Sequence, residues 1–259
     1  MGNMLIKKLL KLFEDVGIFF EFLGKVLKES VSKPFRWHLY INEIELLGVN
    51  SVPIILLACL AIGMIFALQS VVLLQPFQAE IGTGAAVAVA LAQELAPIIT
   101  TLMLIAKNGS AMAAELGTMR VTEQIDALES MSIDAVHYLV VPRVVASVLV
   151  FPVLTILANL VGSFGSYFIS TTLYGIDAAS YINYMFDVLK TEDIVIGLIK
   201  SVVMGFMVST ISCFHGLHVS QGAKGVGEGS TRAVVTSSVA ILVADYLLTT
   251  IMRPIFFGI

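Results

Sequence analysis

Two stretches of this chain, residues 46–79 and 144–176, contain no charged side chain at all. Three more contain one each: Glu94 in 81–106, Lys200 in 194–214 and Asp245 in 233–252. A helix needs about 20 apolar residues to cross roughly 30 Å of hydrocarbon, and each stretch is long enough. Lipid offers the backbone no hydrogen-bond partner, so such stretches fold as helices, which satisfy their own N–H and C=O groups. Composition argues against a soluble alternative. Of all residues 58% are hydrophobic and 13% charged, about half the charged fraction of a water-soluble domain. The expectation is an all-α integral membrane protein, one domain over residues 1–259, with spans at 52–75, 81–106, 144–173, 194–214 and 233–252. Spans one and two, joined by residues 76–80, should form a tight antiparallel hairpin.

Residues 1–45 read differently. Between positions 5 and 27, Leu9, Leu12, Phe13, Val16, Phe19, Phe20 and Leu23 recur at helical spacing. Lys7, Lys8, Lys11, Glu14, Asp15 and Glu21 fall mostly on the other face. This is the pattern of a helix lying in the membrane interface, and an amphipathic helix packed on the spans shares it. Lys25, Lys28, Lys33 and Arg36 follow with no small-residue cleavage site, so the segment is not read as a cleaved signal. Basic residues set the orientation. Those four with Lys7, Lys8 and Lys11 share a side with Lys107, Arg120, Arg143, Lys224 and Arg232. Lys190 and Arg253 stand on the other. The chain is therefore expected to start in the cytoplasm and end outside. A net charge of −4 gives no sign of a nucleic-acid surface. Cys59 and Cys213 lie in apolar runs, with neither a disulfide framework nor metal-ligand spacing. Five spans do not divide into the equal halves of an inverted repeat.

The loop after span two, residues 107–129, is longer than a simple turn and compatible with helix. Small residues at Gly109, Ser110, Ala111, Ala113 and Ala114 permit close helix contact. Glu123, Asp126 and Glu129 form an acidic face beside apolar Val121, Ile125 and Leu128. A short amphipathic helix of this kind can dock into a groove on a soluble partner, or can simply link two spans.

The run Ala114-Glu-Leu-Gly-Thr-Met-Arg-Val-Thr-Glu-Gln-Ile-Asp-Ala-Leu128 resembles the signature of MlaE-type (YrbE-like) ABC permeases, which work with MCE-domain proteins. Glu94-Leu-Ala-Pro97 is similar to the family's Glu-Leu-Gly-Pro. Asp134 with Pro142 and Arg143, Gly175-Ile-Asp177, Lys200-Ser201 and Thr231-Arg232 also fit.

The resemblance implies a permease subunit in the bacterial inner membrane, with a periplasmic C-terminus. It implies phospholipid movement between that membrane and an MCE-type periplasmic carrier, maintaining outer-membrane lipid asymmetry. Two copies would pair, each with a cytoplasmic ABC ATPase, and a STAS-domain subunit is left open. ATP and Mg would be bound by the ATPase, so this chain would bind no cofactor and be no enzyme. The loop 115–134 would be the coupling helix, with Glu115, Arg120, Glu123, Gln124, Asp126 and Leu128 at the matching positions. Glu94, Gln93 and Leu95 match positions lining the lipid site, and Phe77 one near its mouth. Gln93 stands where some relatives carry Arg, and Lys107 where Arg is usual; Lys107 keeps the charge without the bidentate fork.

On physics alone, Glu94 is an intramembrane carboxylate and a functional candidate. The alternative is a packing pair with Lys200 or Arg232. Pro97 should kink the helix beside it. A stand-alone channel or ion-coupled transporter using Glu94 remains the rival function. Lys200, read near the outer end of span four, is expected to snorkel as an interface anchor. Asp245 could pair with Arg232 or Arg253. His215 and His218 are a poor metal pair, with only Cys213 near them. The glycine-rich 222–229 lacks a Ser or Thr after its Lys and follows no strand, so it is read as a flexible connection rather than a phosphate loop. No catalytic arrangement is present.

Overall fold

The computed structural model describes residues 2–32, 36–220 and 222–258. Lys33 lies outside them, and of Lys7, Lys8, Leu9, Lys11, Leu12, Phe13 and Asp15 only the backbone is described. Regular structure among the described residues is entirely helical. Among the described residues, five helices are long and apolar enough to cross a membrane: Trp37–Phe77, Glu80–Val121, Val136–Thr172, Thr191–Leu217 and Ala223–Phe256. They run alternately up and down. One end of the bundle gathers α1 (Gly2–Glu29), residues 107–143, residues 215–220 and residues 222–232, and is called the basic end. The opposite, acidic end carries the 76–82 turn and α9 (Ala178–Val188).

Span one comprises α2 (Trp37–Leu47), a short 3-10 turn and α3 (Val52–Leu74). Span three is led by a π turn at Val136–Val140 and continues as α8 (Val141–Thr172). These two spans pack without side chains at their closest point. A Cβ added to Gly63 would lie 2.0 Å from the Gly162 carbonyl oxygen. Small residues hold such crossings together in lipid, where helices gain no hydrophobic advantage over lipid tails. Span four, α10 (Thr191–Leu217), approaches span two in the same way, Gly197 against the Ala92 carbonyl.

Span two is not a uniform α-helix. It runs as α4 (Thr83–Ala90), a π turn at Leu91–Leu95, α5 (Ala96–Leu104), a second π turn at Ile105–Gly109 and α6 (Ser110–Val121). Pro97 has no N–H to donate, and its ring would meet the carbonyl of Gln93. The helix answers by widening over Leu91–Leu95, which carries Gln93 and Glu94.

The glycine-rich 222–229 is a correction. It is no flexible connection: α11 (Ala223–Phe257), the fifth span, begins at Ala223 and runs straight through it. Gly225 and Gly229 leave room for neighbours, a Cβ on Gly225 falling 2.0 Å from the Ser220 carbonyl oxygen and one on Gly229 2.5 Å from Val219. The first turns of α11 thus press against Val219, Ser220 and α6.

At the acidic end, Asp177 caps α9 by accepting from the Ser180 N–H at 2.8 Å, which holds its carboxyl below the ordinary range. Tyr181 is buried against Gly84 and shares a 2.8 Å hydrogen bond with Ser166, and burial raises its phenol pKa. At the basic end, α1 packs on span four through Phe19 and Phe22 against Phe214, while Val16, Ile18, Phe20 and Leu27 stay exposed.

Candidate functional site

The three intramembrane charges meet. Lys200 Nζ donates to Glu94 Oε2 and, at 2.7 Å, to Thr249 Oγ1, and it lies 3.1 Å from Asp245 Oδ1. The Thr249 hydroxyl in turn lies 3.1 Å from Glu94 Oε1. Spans two, four and five are thereby joined by one polar centre. At 1.5 Å per residue, Glu94 stands about 21 Å in from Glu80 and Lys200 about 14 Å in from Thr191, well inside the hydrocarbon.

Two expectations are overturned here. Lys200 is not an interface anchor: its side chain is fully buried, because the Gly197–Ala92 contact draws this part of α10 against span two. Asp245 pairs with neither Arg232 nor Arg253; its partner is Lys200. One ammonium between two carboxylates leaves, with all three ionised, one surplus negative charge. The Glu94 side chain keeps 30% of its surface exposed, against 12% for Asp245, so the polar centre opens on the Glu94 side.

Gln93 is held away from open space. Its Nε2 donates to Asp193 Oδ1 at 2.6 Å, and Asp193 also accepts from the Lys190 N–H, closing the first turn of α10. Leu95 follows on the same π turn, half-buried. Phe77 is 79% exposed in the turn between spans one and two. The fold therefore gathers Glu94 with Lys200 and Thr249 at mid-depth, ties Gln93 to Asp193 in the first turn of α10, and leaves Phe77 at the acidic end.

The residues matched to the coupling loop lie at the basic end. They do not form one helix. α6 stops at Val121, Glu123 takes a left-handed conformation (φ 60°), and α7 (Gln124–Ser130) sets off in a new direction. Arg120 and Asp126 bridge the bend at 2.7 Å. Gln124 donates to Thr122 at 3.0 Å, Ile125 enters the core, and Leu128 packs at its edge.

Glu115 is part of a second charge cluster. Arg143, at the start of α8, donates through Nη2 to Glu115 at 3.2 Å and through Nη1 to the Leu139 carbonyl at 2.7 Å. Its Nε lies 3.4 Å from Glu43 on α2. One buried guanidinium thus ties α2, α6 and α8 together, beside a crevice of about 420 Å³ that Glu115 and Gln124 also line.

Sequence reasoning missed Thr249, Asp193 and Glu43. Only the charge count gave a signal: one cation and two anions within the spans predicts a shared centre.

The comparisons with known proteins agree with one another. The family model described as Permease MlaE matches residues 40–251. A probable ABC transporter permease of Rickettsia bellii is 35% identical over 248 residues, covering 96% of each chain. The intermembrane phospholipid transport system permease protein MlaE of Haemophilus influenzae is 35% identical, over 96% of this chain and 98% of its own. The chloroplastic TRIGALACTOSYLDIACYLGLYCEROL 1 of Arabidopsis thaliana is 38% identical over 87% of this chain and 65% of its own.

Proposed function

The chain belongs to the MlaE permease family, and from that membership we propose that it is the membrane subunit of an ABC transporter for phospholipid. In this reading it sits in the bacterial inner membrane with its basic end in the cytoplasm. Two copies pair, each with a cytoplasmic ATPase that binds ATP and Mg. A periplasmic MCE-domain protein exchanges lipid with the pair, and the traffic maintains outer-membrane lipid asymmetry. A STAS-domain protein is a further candidate partner.

The observation that carries this reading is the polar centre at mid-depth, Lys200 held between Glu94 and Asp245 in a half-open setting. Ionisable groups inside a membrane mark transport pathways by default. With Lys200 neutralised by its own partners, the centre offers no free cation to a lipid phosphate. Glu94 with Gln93 and Leu95 then acts as the polar edge of a cavity whose remainder takes acyl chains. At the cytoplasmic end, the bent α6–α7 pair presents Glu115, Arg120, Glu123, Gln124, Asp126 and Leu128 to the ATPase. Arg143 passes its displacement to α8 and α2. The ATPase biases the permease only through contacts that differ between its own states.

The test is reconstitution of the chain with its co-purifying ATPase and MCE protein, measuring ATP hydrolysis and transfer of labelled phospholipid together. Glu123→Lys with Asp126→Lys should leave hydrolysis running while transfer falls at least tenfold. Undiminished transfer removes the coupling assignment. Transfer in vesicles without any ATPase, driven by a pH gradient and lost in Glu94→Gln, returns the ion-coupled alternative.

A further inference from the structure

We propose that the apolar crevice between α1, α10 and α11 at the basic end holds an acyl chain of a resident anionic phospholipid, at a site separate from Glu94. The crevice measures about 510 Å³ and is lined by Phe19 and Phe20 of α1, Phe206 and Phe214 of α10, and Thr236 and Ala240 of α11, among others. It exists because α1 rests on span four and on the start of span three rather than on span five: Phe19 and Phe22 pack edge-on and tilted against Phe214, centroids 5.3 and 5.6 Å away, and Lys25 reaches Asp134.

Its dimensions select the occupant. From His215 at the mouth to Phe206 at the floor the crevice runs about 14 Å along α10, close to the depth of one leaflet. A helix 10–12 Å across and of that length would fill on the order of 1,000 Å³ or more. The space is about half that, too narrow for a partner's helix and suited to a flexible hydrocarbon chain.

Charge at the mouth selects the headgroup. His215 lines the crevice, and Arg232 stands one turn before Thr236 on α11, close enough to act electrostatically on His215. The Arg232 side chain is 72% exposed, and its nearest carboxylate, Glu228, is 3.8 Å away. A phosphate at the level of these residues would meet a cation, while its chain entered among phenylalanines. Ala240 lies about 14 Å along α11 from Thr249, so this lipid would not touch the polar centre.

Trp37 is the only tryptophan, which makes a clean reporter possible. In a Trp37→Phe background, Phe206→Trp places an indole at the floor of the crevice. The protein is reconstituted in phosphatidylcholine vesicles containing brominated phosphatidylglycerol or brominated phosphatidylcholine, and quenching is measured. One basic residue near a membrane surface contributes about a fivefold preference for anionic lipid. We expect that preference in the reporter protein, its fall to about one in Arg232→Gln, and its retention in Arg232→Lys. Ala240→Phe should fill the crevice and lower quenching by both lipids. Arg232 is exposed, so its variants are not expected to disturb folding. Equal quenching by the two lipids in the parent reporter would mark ordinary boundary lipid and overturn the proposal. An indole quenched by neither would mean that protein covers the crevice, and would overturn it equally.

Discussion

At mid-membrane a single lysine faces two carboxylates, Glu94 and Asp245; at the basic end a single arginine faces two others, Glu43 and Glu115. The stoichiometry is the same and the setting is not. Lys200 is fully enclosed, and all its partners belong to the packed spans. Arg143 is also buried, yet Glu115 keeps 49% of its side-chain surface, so the surplus charge there is hydrated. Removing the enclosed lysine strands two carboxylates in a setting that is open only in part, on the Glu94 side. Removing a hydrated member strands little. The first cluster is built to hold, whereas the second can let go on one side, toward the loop that bends at Glu123.

The sharpest way to break this contrast is Lys200→Met. It leaves two carboxylates facing each other in hydrocarbon, and the expected loss is about 3–5 kcal/mol. Labelling of the buried Cys59 and Cys213 by a thiol-reactive fluorophore during heating would report it, because both thiols become reachable only on unfolding. Adding Glu94→Gln and Asp245→Asn should recover most of that stability while abolishing lipid transfer. A triple variant as unstable as the single one would show that charge is not what the centre balances.

Arg143→Met should cost about 1–3 kcal/mol in the same assay, less than Lys200→Met, since one of its carboxylates can turn to water. Equal losses would erase the distinction. Glu115→Gln should cost less than about 1 kcal/mol, with its effect appearing in the ratio of ATP hydrolysed to lipid moved. The smallest effect belongs to the exposed Lys25–Asp134 pair, 2.8 Å apart, which fastens α1 to the start of span three. Partial burial pushes the Asp134 carboxyl up, but the bond and charge of Lys25, with the N–H groups of Val136 and His137, outweigh it and leave the pKa below 3.8. A depressed folded value means that the pair's stabilisation is complete above pH 4–5 and fades as pH falls through that value. The melting difference between the parent and Lys25→Gln, worth about 0.2–1 kcal/mol, should stay flat from pH 7 to about 5 and shrink below about 4.

The five spans were legible because apolar runs of that length with at most one charge have one physical outcome in lipid. What sequence alone concealed was depth and pairing. Lys200 reads as lying near a span's end if span four is counted from its apolar run. Its true surroundings depend on which residues of α10 press against span two, and Gly197 opposite Ala92 settles that only once the helices are docked. The cations on the helix of Asp245, Arg232 and Arg253, stand far along it, so its pairing waits on the same docking. The glycine-rich 222–229 misleads for a related reason: low helix propensity is overridden where small residues let α11 approach α6. At the candidate site, Glu94 was found by its isolation, whereas Thr249 and Asp193 are ordinary residues until their neighbours are known.

The enclosed centre also has an electrical consequence. With its three groups ionised it places one net charge deep within the membrane, where the transmembrane voltage acts on it. If transport shifted that centre by one helical turn, 5.4 Å in roughly 30 Å, the charge would cross about a fifth of the field. At about 2.3 kcal/mol per charge per 100 mV, that is about 0.4 kcal/mol, or about a twofold change in the balance between the two positions. A polarised membrane would then favour one position of Glu94 over the other, with no ion carried across.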